Sequence, residues 1–219
     1  MATNIRIGAP VTALTATLGL AAACWVVTVR QMSGMDMGVA STLGSFGSFG
    51  LLWVPMMAAM MLPGAVPAVF SRADATGRAS LALRFVASYL AVWAAAGVVV
   101  YVFYRPHGTV AAGALVIAAG IYEASPLKQR FRGRCRENLH SGLEFGLTCA
   151  GSSVGLMVIL VALGVMSVPW MAAIALVVVG QKLLPANTAA DLLLALAIVG
   201  FGVLVILAPS SVPGLMPSM

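Results

Sequence analysis

The sequence predicts an all-α fold: a polytopic membrane helical bundle of about seven transmembrane helices, with the N-terminus inside and the C-terminus outside. Three observations predict it. The chain is too apolar for a soluble domain: of 219 residues, 61% are hydrophobic and 8% are charged, with a mean hydropathy of +1.04, where soluble domains carry about 25% charged residues. The apolar residues fall in runs of span length rather than in the alternating pattern of a membrane β-barrel. The charges sort by side. With the N-terminus inside, ten basic residues lie inside: Arg6, Arg72, Arg78, Arg84, Lys128, Arg130, Arg132, Arg134, Arg136 and Lys182. Only Arg30 and Arg105 lie outside. This positive-inside bias supports an odd number of spans. No inter-span segment exceeds about 20 residues, well below domain size, so 1–219 reads as a single integral membrane domain.

The first span, 8–29, contains Ala21-Ala22-Ala23-Cys24, which resembles a weak lipoprotein cleavage site. The run continues through Trp25-Val26-Val27 and is too long for a signal-peptide core of about 7–15 residues. An outer loop and a flexible Gly/Ser/Phe linker at 44–50 lead into the second span, 48–70. The third, 81–103, is the plainest; Tyr101 and Tyr104 suit an interfacial aromatic belt. The fourth, 109–125, is short. The basic stretch 128–136 reads as an inner loop that orients the chain and meets anionic headgroups. The fifth span is 143–165, the sixth, again short, is 168–184, and the seventh is 188–208.

Two methionine clusters carry the candidate chemistry. Met32, Met35, Asp36 and Met37 lie within six residues of the outer loop. Thioethers are soft donors that suit Cu(I) and lose no proton on binding it. In the second span, Met56 and Met60 lie four apart, as do Met57 and Met61, so each pair shares a helix face. The four continue a thioether ladder inward, although two faces dilute a single-file path. Pro55, Pro63 and Pro67 are expected to kink or break this helix. The same methionines also suit plain packing beside Ala58, Ala59 and Gly64.

A third group lies toward the inner side: Glu123, Glu144, Cys149, Ser152, Ser153 and Lys182. It reads either as an ion-coordinating or proton-relay cluster or as interfacial ion pairs, with Lys182 and the arginines of the basic loop as candidate partners for Glu144. Cys24, Cys135 and Cys149 are odd in number and far apart, and do not read as a disulfide framework. Cys135 among arginines is expected to be a reactive thiolate, with His140 nearby. His107, at the outer end of the third span, is either solvated or turned toward the methionine loop. No nucleophile elbow, phosphate loop, zinc-protease motif or dinucleotide fingerprint is present. Two histidines on opposite sides exclude a bis-histidine haem. The formal charge of +6 is explained by topology rather than by nucleic acid.

Several blocks together resemble one bacterial family. They are Met56-Met57-Ala58-Ala59-Met60-Met61-Leu62-Pro63 with Pro67, Gly120-Ile121-Tyr122-Glu123 with Ser125-Pro126-Leu127-Lys128, Gly164-Val165-Met166 with Trp170-Met171, and Gln181-Lys182-Leu183-Leu184-Pro185. The family is that of predicted metal-binding integral membrane proteins, a domain of unknown function, and the resemblance covers roughly 35–207. It implies a metal-binding role. In this chain Cys135 and Cys149 match two of the family's cysteines, but Phe131, Ser152 and Ser153 replace others, and Gln181 stands where Glu is common. The resemblance therefore leaves the methionine block as the carrier of a metal role.

The leading expectation is a multi-pass protein of the bacterial inner membrane that binds or relays a soft metal, copper. Met32, Met35, Asp36 and Met37 gather it, and Met56, Met57, Met60 and Met61 pass it inward. The alternative is a non-catalytic accessory subunit of a larger membrane complex, since Gly- and Ala-rich spans such as Ala94-Ala95-Ala96-Gly97 pack closely on other helices. The expected partners are the lipid bilayer and either complex proteins or a second copy. Neither reading gives the chain a catalytic activity of its own.

Overall fold

The computed structural model describes residues 8–33, 43–136, 141–164, 167–184 and 188–212. Met35, Asp36, Met37, Arg6 and His140 lie outside the described residues. Among those described, the chain forms eight α-helices and no strand. They are α1 (Gly8–Met32), α2 (Phe46–Thr76), α3 (Ala79–Phe103), α4 (Thr109–Glu123), α5 (Pro126–Arg136), α6 (Gly142–Leu163), α7 (Val168–Leu183) and α8 (Thr188–Leu207). Each of the seven expected spans coincides with one of these helices. Five of them, α1, α2, α3, α6 and α8, are long and apolar enough to cross a membrane. The fourth and sixth expected spans are α4 and α7, of 15 and 16 residues. At about 1.5 Å per residue they fall short of a hydrocarbon core of about 30 Å.

Helix α2 is the longest and lies at the centre, packed by α1, α3 and α7. Ser45 starts it, its side chain accepting the Ser48 N–H at 3.3 Å. Gly77 ends it in the left-handed conformation, φ 64°, with its N–H on the Ala73 carbonyl at 2.8 Å. Of the kink or break expected at the prolines, the break does not occur: Pro55, Pro63 and Pro67 all lie inside one continuous helix. Packing on several sides explains this. Unwinding would expose further backbone groups to an apolar interior, at several kcal/mol for each, whereas each proline forfeits one hydrogen bond.

A second correction concerns the basic stretch expected to be a loop. It is a helix, α5, and α4 and α5 form a pair bent by 64°. Ser125-Pro126 marks its start: proline is favoured at the first helical position, and the Ser125 hydroxyl accepts the Lys128 N–H at 3.3 Å. One face carries Lys128, Phe131, Arg132 and Cys135 inward, at the i, i+3, i+4, i+7 spacing of a packed helix. That face lies on α6, while Gln129, Arg130 and Arg134 point outward.

Helices α4 and α8 meet through facing glycines. A Cβ added at Gly113 would sit 2.8 Å from the Gly202 carbonyl, and one added at Gly202 would sit 2.9 Å from the Gly113 carbonyl. Small residues let two backbones touch where no hydrophobic effect drives helix association. Gly202→Val is therefore expected to destabilise the protein by about 1–3 kcal/mol, the usual cost of overpacking. Thermal unfolding in mild detergent checks this; an unchanged midpoint would refute the close crossing.

Candidate metal centre

The four methionines of α2 occupy two successive turns. Met56, Met60 and Met61 are 0% exposed and Met57 is 1% exposed. At 100° per residue they span about 140° of the helix circumference. Both of their faces are buried, and so are Ala58, Ala59 and Leu62 between and after them. Pro63 has no N–H to offer the Ala59 carbonyl four residues back, so the ladder is interrupted within the methionine turns.

Aromatic side chains frame the block. On its N-terminal side, Trp53 stacks on Phe49 at 5.3 Å between ring centroids and donates its indole N–H to the Trp93 carbonyl at 2.8 Å. Its ring lies over Gly97 of α3, where a Cβ would collide with it. On the C-terminal side the Tyr89 hydroxyl donates to the Met61 carbonyl at 3.4 Å. The Lys182 ammonium of α7 donates to that same hydroxyl at 3.1 Å and lies 5.7 Å from the Tyr89 ring centroid. Its aliphatic stem crosses Gly64, where a Cβ would come within 2.5 Å of the Lys182 Cδ.

Of the outer cluster, the described residues include only Met32, which is buried at the end of α1. Helix α7 adds Met171, which is 0% exposed. The sequence singled out no ligand role for it, because a lone methionine in an apolar span carries no signal of its own.

The inner group resolves into ion pairs. Glu123 is buried and pairs with buried Lys128. It also accepts from the Gln181 amide at 2.9 Å. The amide suits this position because a second carboxylate here would repel the first. Arg132 holds both oxygens of Asp191 at 2.5 and 2.7 Å. Lys182 turns to Tyr89 rather than to Glu144, which is exposed. The Ser152 hydroxyl donates to the Cys149 carbonyl at 2.8 Å. His107 lies with its ring nitrogens 3.0 and 3.2 Å from the Arg105 and Ala162 carbonyls.

The expectation for the cysteines was wrong. Cys135 and Cys149 form a disulfide, their Cα atoms 5.7 Å apart, within the span that a disulfide requires. The bend after α4 lays α5 back on α6 and brings them together across 14 residues. Cys135 is thus not the reactive thiolate expected, and Cys149 is 0% exposed. The free cysteine among the described residues is Cys24, on α1. No group of three His, Cys, Asp or Glu side chains among the described residues is placed to hold a metal. The clustered soft donors that remain are thioethers.

These features define a class: an all-helical chain with membrane-length helices and a buried group of soft donors. The PpoB2 family, described as a copper chaperone, matches residues 50–205, and the chain belongs to that family. No curated protein and no solved structure matches the chain.

The buried ion pair gives a stability prediction. Lys128→Met leaves the Glu123 charge without its cation, and should cost about 3–5 kcal/mol. The double variant Glu123→Gln with Lys128→Met should recover much of that loss. Denaturant unfolding of both proteins in detergent is the measurement. Equal losses in the single and double variants would count against the pair.

Proposed function

We propose that this protein is a copper chaperone of the bacterial inner membrane that holds Cu(I) on Met56, Met57, Met60 and Met61. The carrying observation is the complete burial of four thioethers on two turns of the central helix, within the stretch matched by the copper-chaperone family. Neutral thioethers can be buried without the desolvation cost of a charged ligand, and they accept soft Cu(I) without releasing a proton. The packing of α1, α3 and α7 around them excludes water, whose hydration of Cu(II) drives the disproportionation of Cu(I). Met32, Met35 and Met37, with Asp36, gather the ion at the outer face and feed this site. The proposed side rests on the distribution of Lys and Arg along the chain.

Methionine-to-leucine changes test the site, because they conserve volume and usually cost under about 1.5 kcal/mol. The wild-type protein, titrated anaerobically with Cu(I) against a competing chelator, is expected to bind stoichiometric copper. Replacing Met56, Met57, Met60 and Met61 together by leucine should weaken binding on the order of tenfold or more, since it removes every proposed donor. Replacing Met32, Met35 and Met37 should slow loading and leave the final affinity in place. Unchanged affinity in the fourfold leucine variant would reject the site. Recovery of the protein only within a larger assembly, without metal, would favour an accessory subunit instead.

A further inference from the structure

Lys128, Arg132 and Lys182 reach into the bundle beside its polar groups, and Lys182 differs from the other two. Lys128 and Arg132 each meet a carboxylate. Lys182, partly buried, makes no ion pair among the described residues; its ammonium rests on the hydroxyl and ring of Tyr89. The nearby inner carboxylate does not pair with it: Lys128 and Gln181 hold Glu123 at Oε2, and no ion pair joins Glu123 to Lys182. An apolar side chain would cover Gly64 equally well, and a charge inside a bundle is costly. The position of this charge is specific. The Tyr89 hydroxyl that accepts from Lys182 donates in turn to the Met61 carbonyl, and the lysine stem lies across Gly64, three residues past Met61.

We propose that Lys182, seated on Tyr89 across Gly64, is a cationic stop that closes the C-terminal end of the methionine block to a monovalent metal ion. The inference rests on the methionine site proposed above. Repulsion between like charges weakens slowly with distance in a low-dielectric interior, so a Cu(I) ion on the thioethers meets a rising barrier toward Gly64. The ion then leaves by the end at which it entered. The protein is a one-sided holder of copper, not a conduit. Tyr89 is a positioning residue: its hydroxyl and ring fix where the charge stands.

The test uses the full-length protein, purified for Cu(I) titration and reconstituted in vesicles whose lumen contains a Cu(I)-specific chelating dye. Wild-type protein should bind Cu(I) and deliver no more to the lumen than protein-free vesicles. Lys182→Met keeps the stem and removes the charge. It should retain binding, raise the affinity on the order of tenfold, and let copper reach the dye. Lys182→Arg should behave as wild type in both assays, which a purely steric role would not predict. Should Lys182→Met fail to fold, Tyr89→Phe provides the decision, because it removes the anchor and keeps the ring; delivery to the dye should rise. Wild-type protein that already passes copper would overturn the stop. So would Lys182→Met, or in its absence Tyr89→Phe, with wild-type affinity and no delivery. If wild-type protein binds no Cu(I), or the fourfold leucine variant binds as wild type does, the methionine site fails and the stop fails with it.

Discussion

Seven successive residues of α2, Met56 to Leu62, are buried, which leaves almost two turns of helix with no outward face. The rest of the architecture follows from that constraint. A helix buried all round needs neighbours on every side, and α1, α3 and α7 provide them. The neighbours must come close, so glycine lies under Trp53 on α3 and under Lys182 on α2 itself. The three prolines can be carried without a break because the surroundings hold the helix together. Methionine suits such an interior in two ways. It is flexible enough to fill irregular gaps, and it brings donor atoms without bringing charge.

The paired charges lie in a different part of the bundle. Glu123, Lys128, Arg132, Asp191 and Gln181 connect α4, α5, α7 and α8. These groups pair with one another, which is why they make a poor metal site despite their number. A cation in that region would have to displace Lys128 or Arg132 from its carboxylate. The thioethers of α2 have no competing partner of that kind. The two regions meet at adjacent residues of α7, Gln181 and Lys182, which face the carboxylate cluster and the methionine helix respectively.

Much of the fold was legible in the sequence because its main signal is local. An apolar run of span length has few alternatives to a helix, and seven such runs became helices with bounds close to those expected. Helix α5 was missed because a run of arginines masked its start signal, Ser125-Pro126, and its i, i+4 spacing of Lys128 and Arg132. Basic residues rarely turn inward, and here two do so because carboxylates wait for them on other helices. The Cys135–Cys149 bond was illegible for a related reason: it depends on a 64° bend that composition does not reveal. The methionines of α2 were visible by type and spacing, but their burial on two faces was not. The meeting of Lys182 and Tyr89 spans 93 residues of sequence and leaves no local trace.

Helix α5 also bears on how the chain is assembled. Each of its turns is fastened to something else: Lys128 to the end of α4, Arg132 to α8, and Cys135 to α6. Only the first of these partners precedes α5 in the chain. Asp191 lies 59 residues beyond Arg132, so a chain emerging from its N-terminus makes α5 long before it makes the anchor. Until α8 arrives, the arginine has no carboxylate, and α5 is held through Glu123 and Cys149 alone. Biogenesis therefore passes through a stage in which α1 to α7 are made and Arg132 is still unpaired. A truncation before α8 would leave the protein at that stage, with the methionine helix already made and Arg132 without its carboxylate.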